Sequence, residues 1–529
     1  MTERPDAIVI GAGPNGLVAA NHLLDAGWSV LVLEAQPEIG GAVRSTNDVH
    51  PDFIHDTFSA FYPLSAASPT IQSFGLDAHG LTWKHAPAVL GHPLADGEWA
   101  LLHRDPQVTA QLMDHQAPGD GEAWLELCAT WDRIGDHVIR ALLSPFPPLK
   151  EGSRALASLR KAGGMDTLRT LLSPAVEVGR QNFRGTSPRI LIAGNAGHAD
   201  LPLDAAGSGL MGILLVMLGQ TVGFPVPEGG AGALAHALAR RCESMGGTIR
   251  SSAEVAHIDV DHRRAVGVIL HDGERLAAGQ AVVADVVAPN LYGGLVSWND
   301  LPARTAKAMR SFELDPGTVK VDWALDGPVP WAAAPPHAPG TVHVADSVEE
   351  MSTSLAEVAS GTIPANPFML VGQMSTADAT RSAPGTEALW AYTHIPQRSV
   401  RDAGGKIRGV WDDDDCQRFA DRMQSRLEKL APGFGSRIVA RRVLGPREIE
   451  ARDANLLGGA INGGTAQLHQ QLIFRPVPGL GRAETPIKGL YLASASAHPG
   501  GGVHGGPGMN AARAAIAHHR LDMLLPWRR

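Results

Sequence analysis

The fold is decided by residues 7–16, which read Ala7-Ile8-Val9-Ile10-Gly11-Ala12-Gly13-Pro14-Asn15-Gly16. A short apolar strand there runs directly into a glycine-rich turn. A helical stretch, 17–25, follows, and a second apolar run, 30–33, ends at Glu34. This strand–turn–helix–strand order is typical of the unit that binds the pyrophosphate of a dinucleotide.

Each glycine of the turn has a separate task. Gly11 permits the tight turn, Gly13 lets the backbone approach the phosphates, and Gly16 lets the helix pack close to the strand. Pro14 and Asn15 begin the helix, whose free amides face the negative charge. We therefore predict that all five residues contact the cofactor.

The acid at the end of the second strand completes this unit. Glu34 lies 23 residues after Gly11, where a carboxylate can accept hydrogen bonds from ribose hydroxyls. We place the next residue, Ala35, in the same part of the cofactor site.

A second glycine pair indicates which dinucleotide is bound. The segment Gly40-Gly41-Ala42-Val43-Arg44-Ser45 predicts another stretch of backbone close to the cofactor, contributed by Gly40, Gly41 and Ala42, with Arg44 able to meet a phosphate. No second GxGxxG follows a strand, so the sequence does not predict a separate nicotinamide-binding domain. One dinucleotide in a long chain favours FAD over NAD.

The C-terminal part of the chain supplies a second helix start. Residues 489–517 read as a short apolar strand, a loop almost free of bulky side chains, and a helix beginning near Pro507. A helix dipole stabilises the negative charge of a reduced flavin by roughly 0.3–1 kcal/mol. We therefore add Gly508, Met509 and Asn510 to the predicted cofactor site.

Several blocks together carry a family resemblance. They are residues 10–16, Gly40-Gly41, Phe53-Ile54-His55-Asp56-Thr57-Phe58-Ser59, Pro227-Glu228-Gly229-Gly230, Arg475-Pro476, Thr485-Pro486, and His498-Pro499-Gly500-Gly501-Gly502-Val503 through Asn510. In these blocks the chain resembles the phytoene-desaturase-like FAD-dependent oxidoreductases of the glutathione-reductase/amine-oxidase fold group. It is most similar to their pyridine nucleotide-disulfide oxidoreductase domain-containing branch.

The resemblance implies an α/β fold with a discontinuous FAD-binding Rossmann-type domain, glutathione-reductase-like, and an inserted α+β substrate domain. It also implies dehydrogenation, saturation or isomerisation of a hydrophobic, isoprenoid-like substrate by hydride transfer with the flavin. In the family's second cofactor segment, the backbone at Val255 lies beside the adenine. Because Pro507-Gly508-Met509-Asn510 differs from the carotenoid desaturases, polyene desaturation itself is not implied.

The placement of these blocks predicts the domain organisation. The FAD-binding domain should comprise 1–75, 225–295 and 440–529, and the substrate-binding domain 76–224 and 296–439. Within the substrate domain the pattern predicts a helix over 122–143 and strands over 318–325 and 388–394. We expect Asp412–Asp415 to be the solvated start of another helix, since carboxylates favour that end.

Composition excludes several other classes of protein. The net charge is −9 and no basic block is present, so nucleic acid is not an expected partner. Cys128, Cys242 and Cys416 lie far apart, which excludes a disulfide-reductase mechanism and fits a reducing compartment. None lies in the C-terminal glycine-rich loop, so we expect FAD to be held non-covalently. We assign no metal site.

One segment raises the question of a membrane. Residues 205–227 contain no charged side chain and include a run of nine apolar or glycine residues, 210–218. Glycines and a proline interrupt it, so we interpret it as a buried helix lining an apolar pocket. An interfacial helix and a true span are the alternatives, which leave peripheral membrane contact open. Residues 1–10 lack the regions of a secretory signal, so we expect a cytoplasmic protein.

Candidate catalytic residues are few, because a flavin itself supplies the hydride acceptor or donor. His504 and His498, both in the glycine-rich loop, are the candidates for proton transfer or substrate placement, and His198 is a candidate pocket residue. His55 and Asp56 should position the loop near the flavin. Two alternatives to the hydrophobic-substrate oxidoreductase stay open: a flavin amine oxidase-like enzyme that produces peroxide, and a flavin-binding interaction protein.

Overall fold

The computed structural model describes residues 4–524. The strands are β1 Ala7–Ile10, β2 Val30–Leu33, β3 Ser45–Thr46, β4 His55–Asp56, β5 Trp83–Lys84, β6 Ala88–Pro93, β7 Trp99–Leu102, β8 Val226–Pro227, β9 Thr248–Arg250, β10 Val255–Asp261, β11 Arg264–Leu270, β12 Arg275–Ala277, β13 Ala281–Ala284, β14 Gly317–Leu325, β15 Pro339–Val344, β16 Thr362–Ile363, β17 Met369–Gln373, β18 Glu387–Ile395, β19 Arg401–Asp402, β20 Ile438–Leu444 and β21 Leu490–Leu492.

The helices are α1 Pro14–Asp25, α2 Pro63–Ala67, α3 Pro69–Gln72, α4 Pro106–Gln116, α5 Asp120–Leu143, α6 Leu149–Lys161, α7 Met165–Leu172, α8 Ala175–Asn182, α9 Thr186–Ala196, α10 Ser208–Thr221, α11 Gly232–Ser244, α12 Ala288–Leu291, α13 Ala303–Met309, α14 Val348–Ala359, α15 Met374–Ala377, α16 Asp413–Leu430, α17 Pro446–Arg452 and α18 Gly506–Leu524. Short 3-10 turns lie at Leu76–His79, Trp298–Asp300, Ala379–Arg381, Phe434–Arg437, Leu457–Gly459, Leu468–Gln470 and Leu472–Phe474.

The first sheet has five parallel strands in the order β21-β13-β1-β2-β9. It is buried on both faces, as parallel sheets generally are. Ala7 and Val9 of β1 point to a core shared with α1, α11 and α18. Ile8 and Ile10 point the other way, to the antiparallel β10-β11-β12 meander. This layering confirms the predicted FAD-binding Rossmann-type fold.

The second sheet has seven strands in the order β20-β14-β18-β17-β15-β6-β7, antiparallel except for the β15–β6 pair. One face packs on α16 through residues such as Phe419 and Met423. The other face packs on the helices α5, α9 and α10. The predicted helix 122–143 and the predicted strands 318–325 and 388–394 are all present, as α5, β14 and β18.

Two predicted domain boundaries differ from the way the chain packs. The strand β20 pairs with β14 in the seven-stranded sheet, so the second sheet continues past residue 440. Leu301 and Met309 belong to the same core as the meander, so that layer continues past residue 295. The division into two domains otherwise stays a prediction.

The apolar segment 205–227 forms a helix only over α10, Ser208–Thr221. Its 14 residues rise about 21 Å, less than the roughly 30 Å of a bilayer core. A Cβ on Gly212 would lie 2.6 Å from the Ile192 carbonyl of α9, which shows how closely the two helices pack. Within residues 4–524, no helix is long and apolar enough to cross a membrane.

The acidic run before α16 is only partly solvated. Asp412 caps the helix by accepting from the Asp415 amide at 3.1 Å, as expected for a helix start. Asp415, however, is completely buried and accepts from the amides of Val410 and Trp411. Its prediction as a solvated residue was therefore wrong, because the preceding loop folds back over it.

Candidate active site

Two helix N-termini meet at the centre of the predicted cofactor site. A Cβ on Gly508, in the first turn of α18, would lie 2.0 Å from the carbonyl oxygen of Asn15 in α1. A Cβ on Gly16 would lie 2.1 Å from the carbonyl oxygen of Gly11, whose φ of +94° also favours glycine. No side chain larger than hydrogen fits at Gly508 or Gly16 without moving a helix.

The second glycine pair packs directly against the first loop. The Gly40 amide donates to the Ala12 carbonyl at 2.9 Å, and a Cβ on Gly41 would lie 3.2 Å from the Gly13 Cα. The predicted proximity of the two loops is therefore seen in the fold. Ala42 follows, and its carbonyl accepts from the Ser59 hydroxyl at 2.7 Å.

Arg44 holds this second loop in place. Its Nε donates to the Gly41 carbonyl at 2.9 Å, and its Nη2 donates to the Arg452 carbonyl at 2.6 Å. The guanidinium also lies 5.5 Å from the centre of the Phe58 ring. The structure thus gives Arg44 a backbone-binding role, and its predicted phosphate contact stays a prediction.

Glu34 is buried at the end of β2, beside the first glycine loop. One carboxylate oxygen accepts from the Ala12 amide at 2.8 Å and the other from the Gln36 amide at 2.9 Å. Burial raises the pKa of Glu34. Each oxygen has a further lone pair, so both can still accept from a ribose hydroxyl.

Two other predicted cofactor residues flank Glu34. The Glu34 carbonyl accepts from the Ala253 amide at 2.8 Å. This hydrogen bond brings the start of β10, where Val255 lies, close to the end of β2. Ala35, in contrast, is exposed at the surface.

Sequence reasoning missed two acids at the same place, Asp285 and Asp453. Asp285 accepts from the Gly16 amide at 2.8 Å, and its Oδ2 would be 2.9 Å from a Cβ on Gly13. Asp453 Oδ2 would be 3.5 Å from a Cβ on Gly41. Burial raises the pKa of Asp285 to about 7, and Asp453 and Glu34 add repulsion. Asp285 directly follows β13, so its place at a carboxyl edge of the sheet was a usable signal.

These residues fit a bound dinucleotide. Asn15 in α1 and Asn510 in α18 each have a side-chain oxygen that is buried without a hydrogen-bond partner in the structure. No side chain caps α1 from its N-cap residue, Gly13. Buried polar atoms of this kind normally have partners. The two amide oxygens need donors, which hydroxyl or N–H groups of a bound dinucleotide would supply, while its pyrophosphate would accept from the free backbone amides of the first turn of α1.

The glycine-rich loop before α18 holds the two candidate histidines, and both are buried. His504 Nδ1 accepts from the Gly506 amide at 3.0 Å, and its Nε2 donates to the Gly501 carbonyl at 3.2 Å. Burial lowers the pKa of His504 to about 4. Both ring nitrogens are occupied within the loop, so the geometry favours a structural role over the predicted proton transfer.

His498 is placed differently. Its Nε2 bonds to the Ser144 carbonyl at 3.0 Å, and its Nδ1 is buried without a partner. Its ring meets Phe146 edge-on at 5.9 Å. His498 remains a candidate for contact with a bound molecule.

Met509, which was predicted to belong to the cofactor site, packs into the core under the five-stranded sheet.

Asp56 anchors the loop that joins the two sheets. It accepts from the Ser45 hydroxyl and the Ala231 amide, both at 2.7 Å, and from Arg381 at 3.0 Å. Neither Asp56 nor Arg381 has exposed side-chain surface. His55 bonds through Nε2 to the Trp323 carbonyl at 3.1 Å. This geometry agrees with the positioning role expected of His55 and Asp56.

Lys320 is a further residue that sequence reasoning missed. It lies buried on β14, pairs with Asp322, and donates to the Asp56 carbonyl at 2.9 Å. Its Nζ is 5.9 Å from the centre of the Trp390 ring. The alternation of polar and apolar residues in 318–325 was a signal for its inward position.

Comparison with known proteins identifies the family. Residues 15–381 match the model of the family described as flavin containing amine oxidoreductase. The chain belongs to that family. Pyridine nucleotide-disulfide oxidoreductase domain-containing protein 2 of Mus musculus is 30% identical over 97% of this chain and 93% of its own length.

Two further relatives extend the comparison. The lycopene-forming phytoene desaturase of Pseudescherichia vulneris is 23% identical over 98% of this chain and 99% of its own length. An oxidoreductase of Methanosarcina mazei has a similar crystal structure, with a TM-score of 0.60, 16% identity, and coverage of 97% and 99% of the two chains. This family of amine oxidase and phytoene desaturase relatives uses FAD, so the protein is an FAD-dependent oxidoreductase.

The three cysteines agree with a flavin mechanism that needs no thiol pair. Cys128, Cys242 and Cys416 are free and buried, and each lies in a different hydrophobic core. Burial raises the pKa of each thiol to about 12. A disulfide exchange between them would require partial unfolding.

Proposed function

We propose that the protein uses FAD to dehydrogenate, saturate or isomerise an apolar, isoprenoid-like substrate. The observation that carries the proposal is the apolar helix α10, which contacts α2, the helix that follows the cofactor-side block 53–59. The likeness to a phytoene desaturase supports the same substrate class.

The chain's own part in this reaction is to bind, orient and exclude water. When bound, FAD accepts or donates the hydride. Its pyrophosphate would be held by the glycine loop that contains Gly13 at the N-terminus of α1, and its ribose by Glu34. The N-terminus of α18 would stabilise negative charge on the reduced flavin. We expect non-covalent binding, because none of the three cysteines lies in the loop before α18.

The first test is the visible spectrum of the purified protein. A flavin band that denaturation releases as FAD supports the cofactor assignment. Anaerobic mixing with apolar alkenes should then bleach the band if the substrate is oxidised. A protein that stays colourless and takes up no added FAD would contradict the proposal and favour a flavin-independent interaction protein.

An amine substrate is the second candidate, because residues 15–381 match a family described as flavin containing amine oxidoreductase. A lysine that held a water beside a flavin would serve such chemistry, but Lys320 already bonds to Asp322 and to the Asp56 carbonyl. Primary amines should therefore give slow or no peroxide formation. If the wild type produces peroxide rapidly and a Lys320→Met variant does not, the amine oxidase function is favoured instead.

Peripheral contact with a membrane is proposed for α6 and α7 rather than for the buried α10. Leu149 is 79% exposed and Met165 is 75% exposed. Leu156 and Leu172, each seven residues later in the chain, are also exposed. Residues 149–172 carry five basic and two acidic side chains. Exposed apolar and basic residues together suit an anionic lipid surface of the reducing, cytoplasmic compartment that we expect.

Sedimentation with vesicles tests this contact. The protein should sediment with vesicles containing phosphatidylglycerol and should remain in solution with pure phosphatidylcholine. A Leu149→Ser/Met165→Ser variant should lose the binding while keeping its FAD. Equal sedimentation of the variant and the wild type would contradict the assignment to these helices.

A further inference from the structure

Among residues 4–524, one face of the seven-stranded sheet carries buried polar atoms that make no well-formed hydrogen bond to a protein group. On this face Thr318 of β14 lies directly opposite His394 of β18. The two residues are 3% and 4% exposed. The Thr318 hydroxyl and both ring nitrogens of His394 are buried without meeting the geometry of a hydrogen bond to a protein atom. Leaving such buried groups unpaired is unfavourable, so a partner is expected.

His394 also lines a cleft of about 160 Å³. The cleft has an apolar wall from Leu201, Leu355 and Val358, and a polar rim from Asp200 and Gln397. A cavity of about 150 Å³ is large enough for benzene. The cleft therefore suits one small ring or a short branched chain, with His394 at its inner end.

A pair of imidazoles lies nearby on the same face. His198 and His343 share a hydrogen bond between their Nε2 atoms at 2.9 Å, and the buried Nδ1 of His343 has no partner. Burial lowers the pKa of His198 to about 3, and it lowers the pKa of His343 well below its ordinary value. At neutral pH both rings are therefore uncharged, and each can donate one hydrogen bond and accept one.

His394 is uncharged for the same reason. Burial lowers its pKa, although the Asp200 carboxylate and the Gly317 carbonyl oppose that shift. Asp200 is itself held by the Thr465 hydroxyl and by the Ala466 amide at 2.7 Å. The cleft lining thus combines the neutral imidazole of His394 with the engaged carboxylate of Asp200 and with the exposed carboxylate of Glu313, which lies 3.1 Å from His469 Nε2.

The cleft is connected to the cofactor side by packed elements. Rings follow one another along the sheet face: His394 to Tyr392 at 5.7 Å, Tyr392 to Trp390 at 5.8 Å, and Trp390 to Phe61 at 6.1 Å. Phe61 lies two residues after the cofactor-side block 53–59.

A rigid backbone segment makes a second connection. The buried Asp315 accepts from the amides of Ile461, Asn462 and Gly464 at 2.9–3.0 Å. Asn462 in turn abuts the glycine-rich loop, since its Oδ1 would be 2.6 Å from a Cβ on Gly501. The same segment continues to Thr465 at the rim of the cleft.

We propose that Thr318 and His394 form the polar end of the substrate site and bind a carbonyl or hydroxyl oxygen of an otherwise apolar substrate. This inference rests on the proposed function and narrows its substrate class from a bare hydrocarbon to an oxygenated one. A charged head group is the poorer match, because the buried imidazoles are neutral and Asp200 is already engaged. The apolar wall and the ring series hold the carbon skeleton.

The test compares two probes of equal shape on the FAD-loaded protein. Binding of cyclohexanone and of cyclohexane is measured by saturation-transfer NMR, which needs no turnover. After each affinity is normalised for the water-to-octanol partition of the probe, cyclohexanone should bind about tenfold more tightly, since one hydrogen bond to a buried unpaired group is worth about that factor. In His394→Phe and in Thr318→Val the preference should fall to about one.

Thr341→Val is the matched control. Thr341 also has a buried hydroxyl without a partner, but it lies three strands away on β15. Its removal should leave the preference intact. The proposal is overturned if the wild type binds both probes equally, or if Thr318→Val and a folded His394→Phe keep the wild-type preference. If no substrate reduces the flavin but the ketone preference holds, then only the proposed reaction has failed.

Discussion

Replacing Asp285 with asparagine should remove a pH dependence from FAD binding. Asp285 accepts from the Gly16 amide at 2.8 Å in the first turn of α1, where the pyrophosphate is expected. Burial raises its pKa to about 7, with a contribution from Asp453 and Glu34. A phosphate anion at the same helix start disfavours the ionised carboxylate, so FAD should bind best to the protein with neutral Asp285.

The expected magnitude follows from that pKa. If only the neutral form binds, the dissociation constant of FAD rises in proportion to 1 + 10^(pH − pKa). With a pKa of about 7, the increase from pH 6 to pH 8.5 is about 30-fold. Asp285→Asn keeps an oxygen for the Gly16 amide but carries no charge, so its FAD affinity should stay constant over this range.

Quenching of flavin fluorescence on titration of the FAD-free protein measures both constants. The same shift has a consequence for stability. Because the folded pKa of this acid is raised, the folded protein binds a proton more tightly than the unfolded chain between about pH 4 and pH 7. Stability should therefore fall as pH rises through that window, and the fall should be smaller in Asp285→Asn.

Two results would refute this reasoning. One is a wild-type affinity for FAD that does not change between pH 6 and pH 8.5. The other is an Asp285→Asn variant that retains the full wild-type dependence, which would assign the titration to another group.

Three other substitutions test separate parts of the site. Arg381→Met leaves the Asp56 carboxylate buried and unpaired, so it should lower the free energy of unfolding by about 3–5 kcal/mol in denaturant titrations. Gly508→Ala places a Cβ 2.0 Å from the Asn15 carbonyl, so it should separate α18 from α1 and lower the bound flavin per protein measured by absorbance. His504→Asn retains an acceptor for the α18 amide, so it should keep the wild-type pH profile of turnover, since the pKa of His504 is about 4.

Each of these substitutions has a control or a contradicting result. Gly152→Ala in α6 adds a Cβ whose nearest neighbour is 3.5 Å away, and it should leave FAD content unchanged. Adding Asp56→Asn to Arg381→Met should restore part of the lost stability, and no recovery would argue against the buried-charge explanation. Loss of turnover in a folded, FAD-containing His504→Asn would return His504 to the catalytic role.

The cofactor half of the site could be predicted because its parts are local in sequence. The glycines of 11–16 and the acid Glu34 lie within one βαβ unit, so spacing alone indicates their arrangement. Asp285 comes from a distant strand, and it was missed because no motif joins it to Gly16. The sequence likewise could not reveal the hydrogen bonds that favour a structural role for His504 over the predicted proton transfer. The two hydrogen-bond partners of this ring are backbone groups, which carry no sequence signal.

The substrate half depends on a strand order that the sequence does not reveal. Thr318 and His394 are 76 residues apart and meet only because β14 pairs with β18. His343 reaches the same face through β15, which is separated from β18 by β17. The local apolar run in α10 therefore suggested an apolar pocket, and no pattern in the sequence indicated the polar groups that meet on this face of the sheet.

A cleft with an apolar wall of Leu201, Leu355 and Val358 and the buried imidazole of His394 is best matched by an occupant that has both an apolar and a polar part. An apolar ligand alone would leave the Thr318 and His394 atoms unsatisfied, and water alone would gain little from the apolar wall. A molecule with a hydrocarbon body and one neutral oxygen satisfies both requirements at once. The folded state therefore selects for an oxygenated apolar substrate, and the cyclohexanone-to-cyclohexane preference measures that selection directly.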